Sequence, residues 1–157
     1  MGEVADIVAG GDIAKNKLLA SGAYPVIANS LNNEGIVGYY SEDYRIEAPA
    51  VTVTGRGEVG VAFARKVNFT PVVRLLALKS QCDSDFLANA INQQHIFIES
   101  TGVPQLTVPQ LSNIRILLPV IPEQTTIGTF FSTLDTLITL HQRECLPNFI
   151  YGGKELC

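Results

Sequence analysis

The chain has 157 residues, 46% of them hydrophobic, and a formal net charge of -4, which suits one well-buried core plus an appendage and is too short for two ordinary domains. No run approaches the roughly 18 apolar residues that cross a bilayer, and the opening MGEVADIVAGG lacks the basic start and apolar stretch of a secretion signal, so a cytoplasmic protein without membrane contact is expected. Cys82, Cys145 and Cys157 are widely spaced with no C-x-x-C pair, which argues against a disulfide framework and a zinc site.

The acidic balance also argues against strong unaided binding to nucleic acid, because Lys and Arg supply much of that affinity. Its distribution is uneven. Residues 1–79 hold eight basic and eight acidic side chains, and the remainder holds three and seven, so all the excess acid lies in the second half.

The first forty residues are dense in Gly, Asn and Ser, with apolar runs at 24–28 and 36–40, and read as short strands joined by polar loops. Between those runs, NSLNNEG (residues 29–35) is an amide-rich loop. It is either a cluster of turn residues or a surface for base edges, since an Asn amide pairs with adenine through two hydrogen bonds.

Residues 50–54 form a strand by β-branched content, and Gly55, Gly57 and Gly60 then spell G-x-G-x-x-G. In a dinucleotide-binding fold this pattern opens a helix whose amides hold a pyrophosphate. Here the chain reaches Asn68, Thr70 and Pro71 within two helical turns, and no alternation of strands with long helices surrounds it. A hairpin or tight corner is expected instead, with Gly55 and Gly57 in backbone conformations closed to other residues and Arg56 projecting from the turn.

Residues 83–94, DSDFLANAINQQ, carry an Asp or Ser cap and place Phe86, Leu87, Ala90 and Ile91 on one face of a short helix. HIFIES (95–100) follows as a strand or bend. His95 and His141 stand far apart, so neither a metal site nor a catalytic triad is indicated. Prolines 104, 109, 119 and 122 predict an extended path, with IRILLPV (114–120) as a buried strand. Pro122 fits the first position of a helix. From there Ile127, Phe130 or Phe131, Leu134, Leu137 or Ile138, and Leu140 or His141 recur near a 3.5-residue spacing, over a helix roughly 36 Å long. That stripe either folds back on its own domain or forms a seam with another chain.

Several of these stretches occur together in one family. STG-PQL, QLSNIRILLP, P-EQ--IG-FF and LD-LI-LHQR in the segment 100–144, with GEVADIVAGGD, YPVIANS, IVGYY and APAVTVTGRGEVG before it, resemble the specificity subunits of type I restriction-modification enzymes. The resemblance covers residues 2–144. It implies an α+β target-recognition domain with curved, partly β-helix-like sheets and short helices at 1–121, a coiled-coil-type dimerisation and subunit-docking helix at 122–146, and an irregular tail at 147–157.

The function it implies is non-catalytic reading of half of a bipartite site in double-stranded DNA. Partners would be methyltransferase and restriction subunits and a second copy of the chain. The chain itself would hold no cofactor, S-adenosylmethionine belonging to the methyltransferase that modifies adenine. This chain departs from the family pattern in having one recognition domain and one such helix instead of two of each, as expected of a half-subunit or a truncated product; its unpaired apolar stripe favours a homodimer, which would prefer a symmetric bipartite site.

Residue chemistry nominates Asn29, Ser30, Asn32 and Asn33, with Lys15, Lys17 and Arg56, for base or phosphate contact. Ile127, Phe130, Phe131, Leu134, Leu137, Ile138 and His141 are nominated for partner contact. Two other functions are open: a dinucleotide-binding enzyme using the glycine triplet, and an assembly or regulatory fragment that captures methyltransferase subunits without reading DNA.

Overall fold

The structure, a computed structural model, describes residues 1–94, 96 and 102–144. His95, Cys145, Cys157, most of HIFIES and the expected tail lie outside the described residues. Seven strands come first, β1 (Ala5–Ala9), β2 (Tyr24–Ile27), β3 (Ile36–Tyr40), β4 (Ala50–Val53), β5 (Ala62–Arg65), β6 (Thr70–Pro71) and β7 (Leu76–Ser80). Helices α1 (Ser84–Asn92), α2 (Val108–Ser112) and α3 (Ile121–Glu144) follow. The α+β class expected from the family resemblance is the one observed.

The main sheet is antiparallel in the order β1-β7-β4-β5, and a second has the order β3-β2-β6, in which β2 and β6 run parallel. Every residue of β4 is buried, as expected of a strand covered on both faces. Its alternation assigns each face. Val51 and Val53 join Leu76 and Leu78 of β7, Leu87 and Ile91 of α1, and Leu106 and Leu111 near α2. Ala50 points the other way, where Ala77, Leu75, Ile27 and Phe69 form a second cluster between the sheets. Fully burying side chains of this size contributes about 1.5–3 kcal/mol each, so these two clusters fix how the loops at the sheet ends are held.

Helix α1 begins where Asp83 caps it, its carboxylate accepting from the N–H groups of Asp85 at 3.0 Å and Phe86 at 2.9 Å. At its other end the Asn92 amide pairs with both backbone groups of Ala62, at 2.7 and 3.0 Å. This closes part of the edge that β5 would otherwise leave open.

Two expectations for the proline-rich segment are corrected. Val108–Ser112 is a helix, not extended chain. Thr107 and Gln110 supply the cap, Thr107 N–H donating to Gln110 Oε1 at 2.8 Å, and Pro109 is tolerated because first-turn N–H groups have no helical partner. The IRILLPV segment is not a buried strand. Ile114 and Ile116 pack against the core, but Leu117 is 92% exposed and, among the described residues, no strand pairs with this stretch.

Of the two fates expected for the apolar stripe of α3, the fold-back on its own domain is seen at the start of the helix. Its first turns fold back on α1: buried Gln124 accepts from Asp83 N–H at 3.1 Å and donates to the Pro119 carbonyl at 2.9 Å. Gly128 lies so close to α1 that a Cβ there would crowd the Phe86 nitrogen and the Asp83 carboxylate. Ile127 is half-buried. Beyond Gly128, Phe130, Phe131, Leu134, Leu137, Ile138 and Leu140 are all exposed. No helix among the described residues is long and apolar enough to cross a membrane.

Candidate nucleic-acid interface

The glycine triplet is a hairpin corner. β5 returns antiparallel to β4, pairing Val53 with Ala62, so no helix follows the glycines and the dinucleotide reading is overturned. Thr54 closes the loop: its N–H donates to the Val61 carbonyl at 2.9 Å, its Oγ1 accepts from Val61 N–H at 2.9 Å, Gly60 N–H reaches the Thr54 carbonyl at 2.8 Å, and the Thr54 hydroxyl donates to the Glu58 carbonyl. Gly57 and Gly60 adopt φ of +80° and +87°, values that cost other L-residues about 1–2 kcal/mol. Gly55 serves a different purpose from the one expected. Its φ is not in the left-handed region, but a Cβ there would collide with the Arg74 carbonyl oxygen.

The amide loop docks on this corner. Gly55 N–H donates to Asn29 Oδ1 at 2.7 Å, and Asn29 Nδ2 donates to the Val73 carbonyl at 3.1 Å. Further along, Asn33 and Glu34 take φ of +49° and +51°. This turn is fastened from below by Arg65, which is buried in the sheet. Arg65 Nη2 reaches the Glu34 carbonyl at 2.8 Å, Nη1 reaches the Glu34 carboxylate at 3.2 Å, and Nε donates to Thr52 Oγ1 at 2.9 Å. Burial pulls the Arg65 guanidinium below its ordinary pKa, and the charge of Glu34 opposes that. Arg65 therefore acts as a structural staple between loop and sheet.

Between loop and corner lies an open cleft of about 300 Å³. Asn29, Ser30, Asn32 and Arg56 all line it, so four of the seven nominated contact residues, separated by up to 27 positions in sequence, meet at one place. Their availability differs. Asn29 has both ends of its amide engaged within the chain, and Ser30 Oγ accepts from Asn32 N–H at 3.2 Å. The Asn32 side chain is exposed, and Arg56 is half-buried with its backbone bridged to Gln105. Asn33 stays in the loop but outside the cleft, its Nδ2 donating to the Ile36 carbonyl at 3.3 Å.

Lys15 and Lys17 lie in a separate 3₁₀ turn, with Lys17 paired to Asp43 at 3.2 Å. Glu58 and Thr54 also line the cleft and were not nominated. The glycine pattern marked their neighbourhood, but nothing local in the sequence says that Glu58 shares a cleft with Asn32. Together the lining offers amide, hydroxyl, guanidinium and carboxylate groups, the donor and acceptor types that distinguish base edges. Among the described residues no cluster of His, Cys, Asp or Glu has the makings of a metal site.

The fold is shared with solved specificity subunits. A structure of the type I restriction-modification S subunit from M. genitalium aligns over 86% of this chain and 37% of its own, with a TM-score of 0.70 and 17% identity. The HsdS subunit of Thermoanaerobacter tengcongensis aligns over 94% and 39%, with a TM-score of 0.61 and 16% identity.

In sequence, the Mycoplasma pneumoniae protein named as type I specificity subunit S.MpnORF507P is 30% identical over 116 residues, 73% of this chain and 31% of that protein. A second from the same organism, S.MpnORF89P, is 29% identical over 118 residues, 74% of this chain and 35% of that protein. The chain thus spans about a third of the length of these relatives. Its residues 1–146 match the family model for the type I restriction modification DNA specificity domain, and the chain belongs to that family.

Proposed function

We propose that this chain reads one half of a bipartite site in double-stranded DNA for a type I restriction-modification assembly and performs no catalysis itself. The observation that carries this reading is the convergence of Ser30, Asn32 and Arg56 on one polar cleft in a chain of this family. Asn32 and Arg56 face base edges, where an amide suits adenine and a guanidinium suits guanine. Ser30, Asn29 and Asn33 hold the loop in shape and contribute contacts from its rim. Lys15 and Lys17 meet the phosphate backbone further along, Lys17 exchanging its exposed pair with Asp43 for a phosphate.

The exposed ridge of α3 docks a methyltransferase subunit, which carries S-adenosylmethionine, and pairs with the same ridge of a second copy. Through that assembly the restriction subunit is brought to the same site. Two equal readers related by a twofold axis then select a symmetric sequence. A cytoplasmic location follows from the substrate, which is the cell's own DNA and DNA entering it.

The test is Arg56→Ala in the assembled complex. Binding to the recognised duplex weakens by roughly 5- to 150-fold, the effect of about 1–3 kcal/mol for a lost bidentate contact, and discrimination at one base position relaxes. Unchanged affinity and unchanged sequence preference would remove Arg56 from the interface. Binding by the wild-type complex also falls steeply as salt is raised.

A further inference from the structure

We propose that Arg74, in the turn between β6 and β7, is a phosphate contact that seats the DNA backbone beside the Arg56 cleft; this rests on the DNA-reading function above. The turn is closed by Leu75 N–H donating to the Val72 carbonyl at 3.0 Å, with Arg74 in its third position at φ +71°. A turn with positive φ at that position favours glycine. An arginine there is strained, and strained backbone of this kind gathers at ligand-binding sites.

Its surroundings say which ligand. The turn is the third wall of the corner already described: the Val73 carbonyl receives Asn29 Nδ2, and the Arg74 carbonyl occupies the space a Gly55 side chain would need. The backbones carrying Arg56 and Arg74 are therefore packed together. Most other cations of the first half are answered within the chain. Lys17, Arg65, Lys66 and Lys79 each pair with a carboxylate, and Arg45 donates to the Asp12 carbonyl. Arg74 is exposed and, among the described residues, makes no ion pair.

Phosphate is favoured over a base edge because Arg74 stands outside the cleft lining. Glu58, on that lining, repels phosphate, so the DNA backbone is met at the rim. Arg56 and Arg74 together outweigh its single charge.

A phosphate contact is independent of sequence, so the probe is a random-sequence duplex, titrated against the chain assembled with its methyltransferase partner over a series of salt concentrations. Arg74→Gly, which suits the positive φ, lowers affinity and reduces the slope of log affinity against log salt by about 0.9, the contribution of one neutralised phosphate. Arg74→Lys keeps the charge and restores the slope, which a mere folding defect would not allow. If Arg74→Gly leaves affinity and slope unchanged while Arg56→Ala still weakens binding to the recognised site, the Arg74 assignment is wrong and the DNA-reading function stands. If the wild-type complex binds no duplex at all, both fall.

Discussion

The corner around Gly55 and the outer length of α3 are finished in opposite ways. At the corner, three segments distant in sequence are bonded to one another through Asn29, Gly55 and Val73, and only a few polar side chains are left over. On α3, close packing against α1 at Gly128 is followed, among the described residues, by six large apolar side chains that are exposed. A surface whose backbone is satisfied but whose Asn32 and Arg56 are presented suits a polar ligand read by shape and hydrogen bonds. A long exposed apolar ridge suits a permanent protein partner, because leaving it in water forgoes the burial that stabilises a helix.

That contrast can be broken by mutation. The largest effect is expected from Leu134→Glu combined with Ile138→Glu: subunit assembly weakens by at least about 1,000-fold, at roughly 2 kcal/mol for each buried anchor. The thermal midpoint of the recognition domain stays near that of wild type, since both side chains are exposed. Sedimentation of the mixed subunits and a thermal scan report the two quantities separately; intact assembly would show that the ridge is not the docking surface.

Within the corner, Gly55→Ala destabilises the domain by about 2–3 kcal/mol, because the new methyl group meets rigid backbone. Gly57→Ala costs about 1–2 kcal/mol, from its positive φ alone, since the space around it is open. Urea unfolding ranks the pair, and the reverse order would refute the packing of β6–β7 against the corner. Asn29→Ala removes the partner of a buried Gly55 N–H and costs about 1–3 kcal/mol. Smallest of all in stability is Asn32→Ala, within about 0.5 kcal/mol, and its effect is expected in sequence preference. A destabilising Asn32→Ala with unaltered preference would make that residue structural.

What could be read in the sequence followed the range of the interactions involved. β3 was visible as an apolar run between turn residues, α1 from its Asp83 cap, and α3 from its spacing and Pro122, all signals carried within a few residues. The corner was legible only in part. G-x-G-x-x-G announces a tight turn, but that Gly55 is needed for the close passage of Arg74 depends on a contact 19 positions away. Arg74 itself gave no local sign, since an arginine with positive φ looks like any other arginine. The 104–120 segment misled because its prolines hid a capping pair at Thr107 and Gln110, and because alternating isoleucines mimic a strand even where no strand among the described residues pairs with it. The family resemblance suggested the proposed function, and the structure supplied the meeting of Ser30, Asn32 and Arg56.

Mapping adenine methylation across the genome of cells that express the partner methyltransferase, with this gene intact, deleted, or carrying Asn32→Ala and Arg56→Ala together, is the most direct measurement. A methylated bipartite motif should be present with the intact gene, vanish on deletion, and be lost or degenerate in one half-site with the double variant. The same motif at the same occupancy in all three strains would mean that this chain does not choose the DNA.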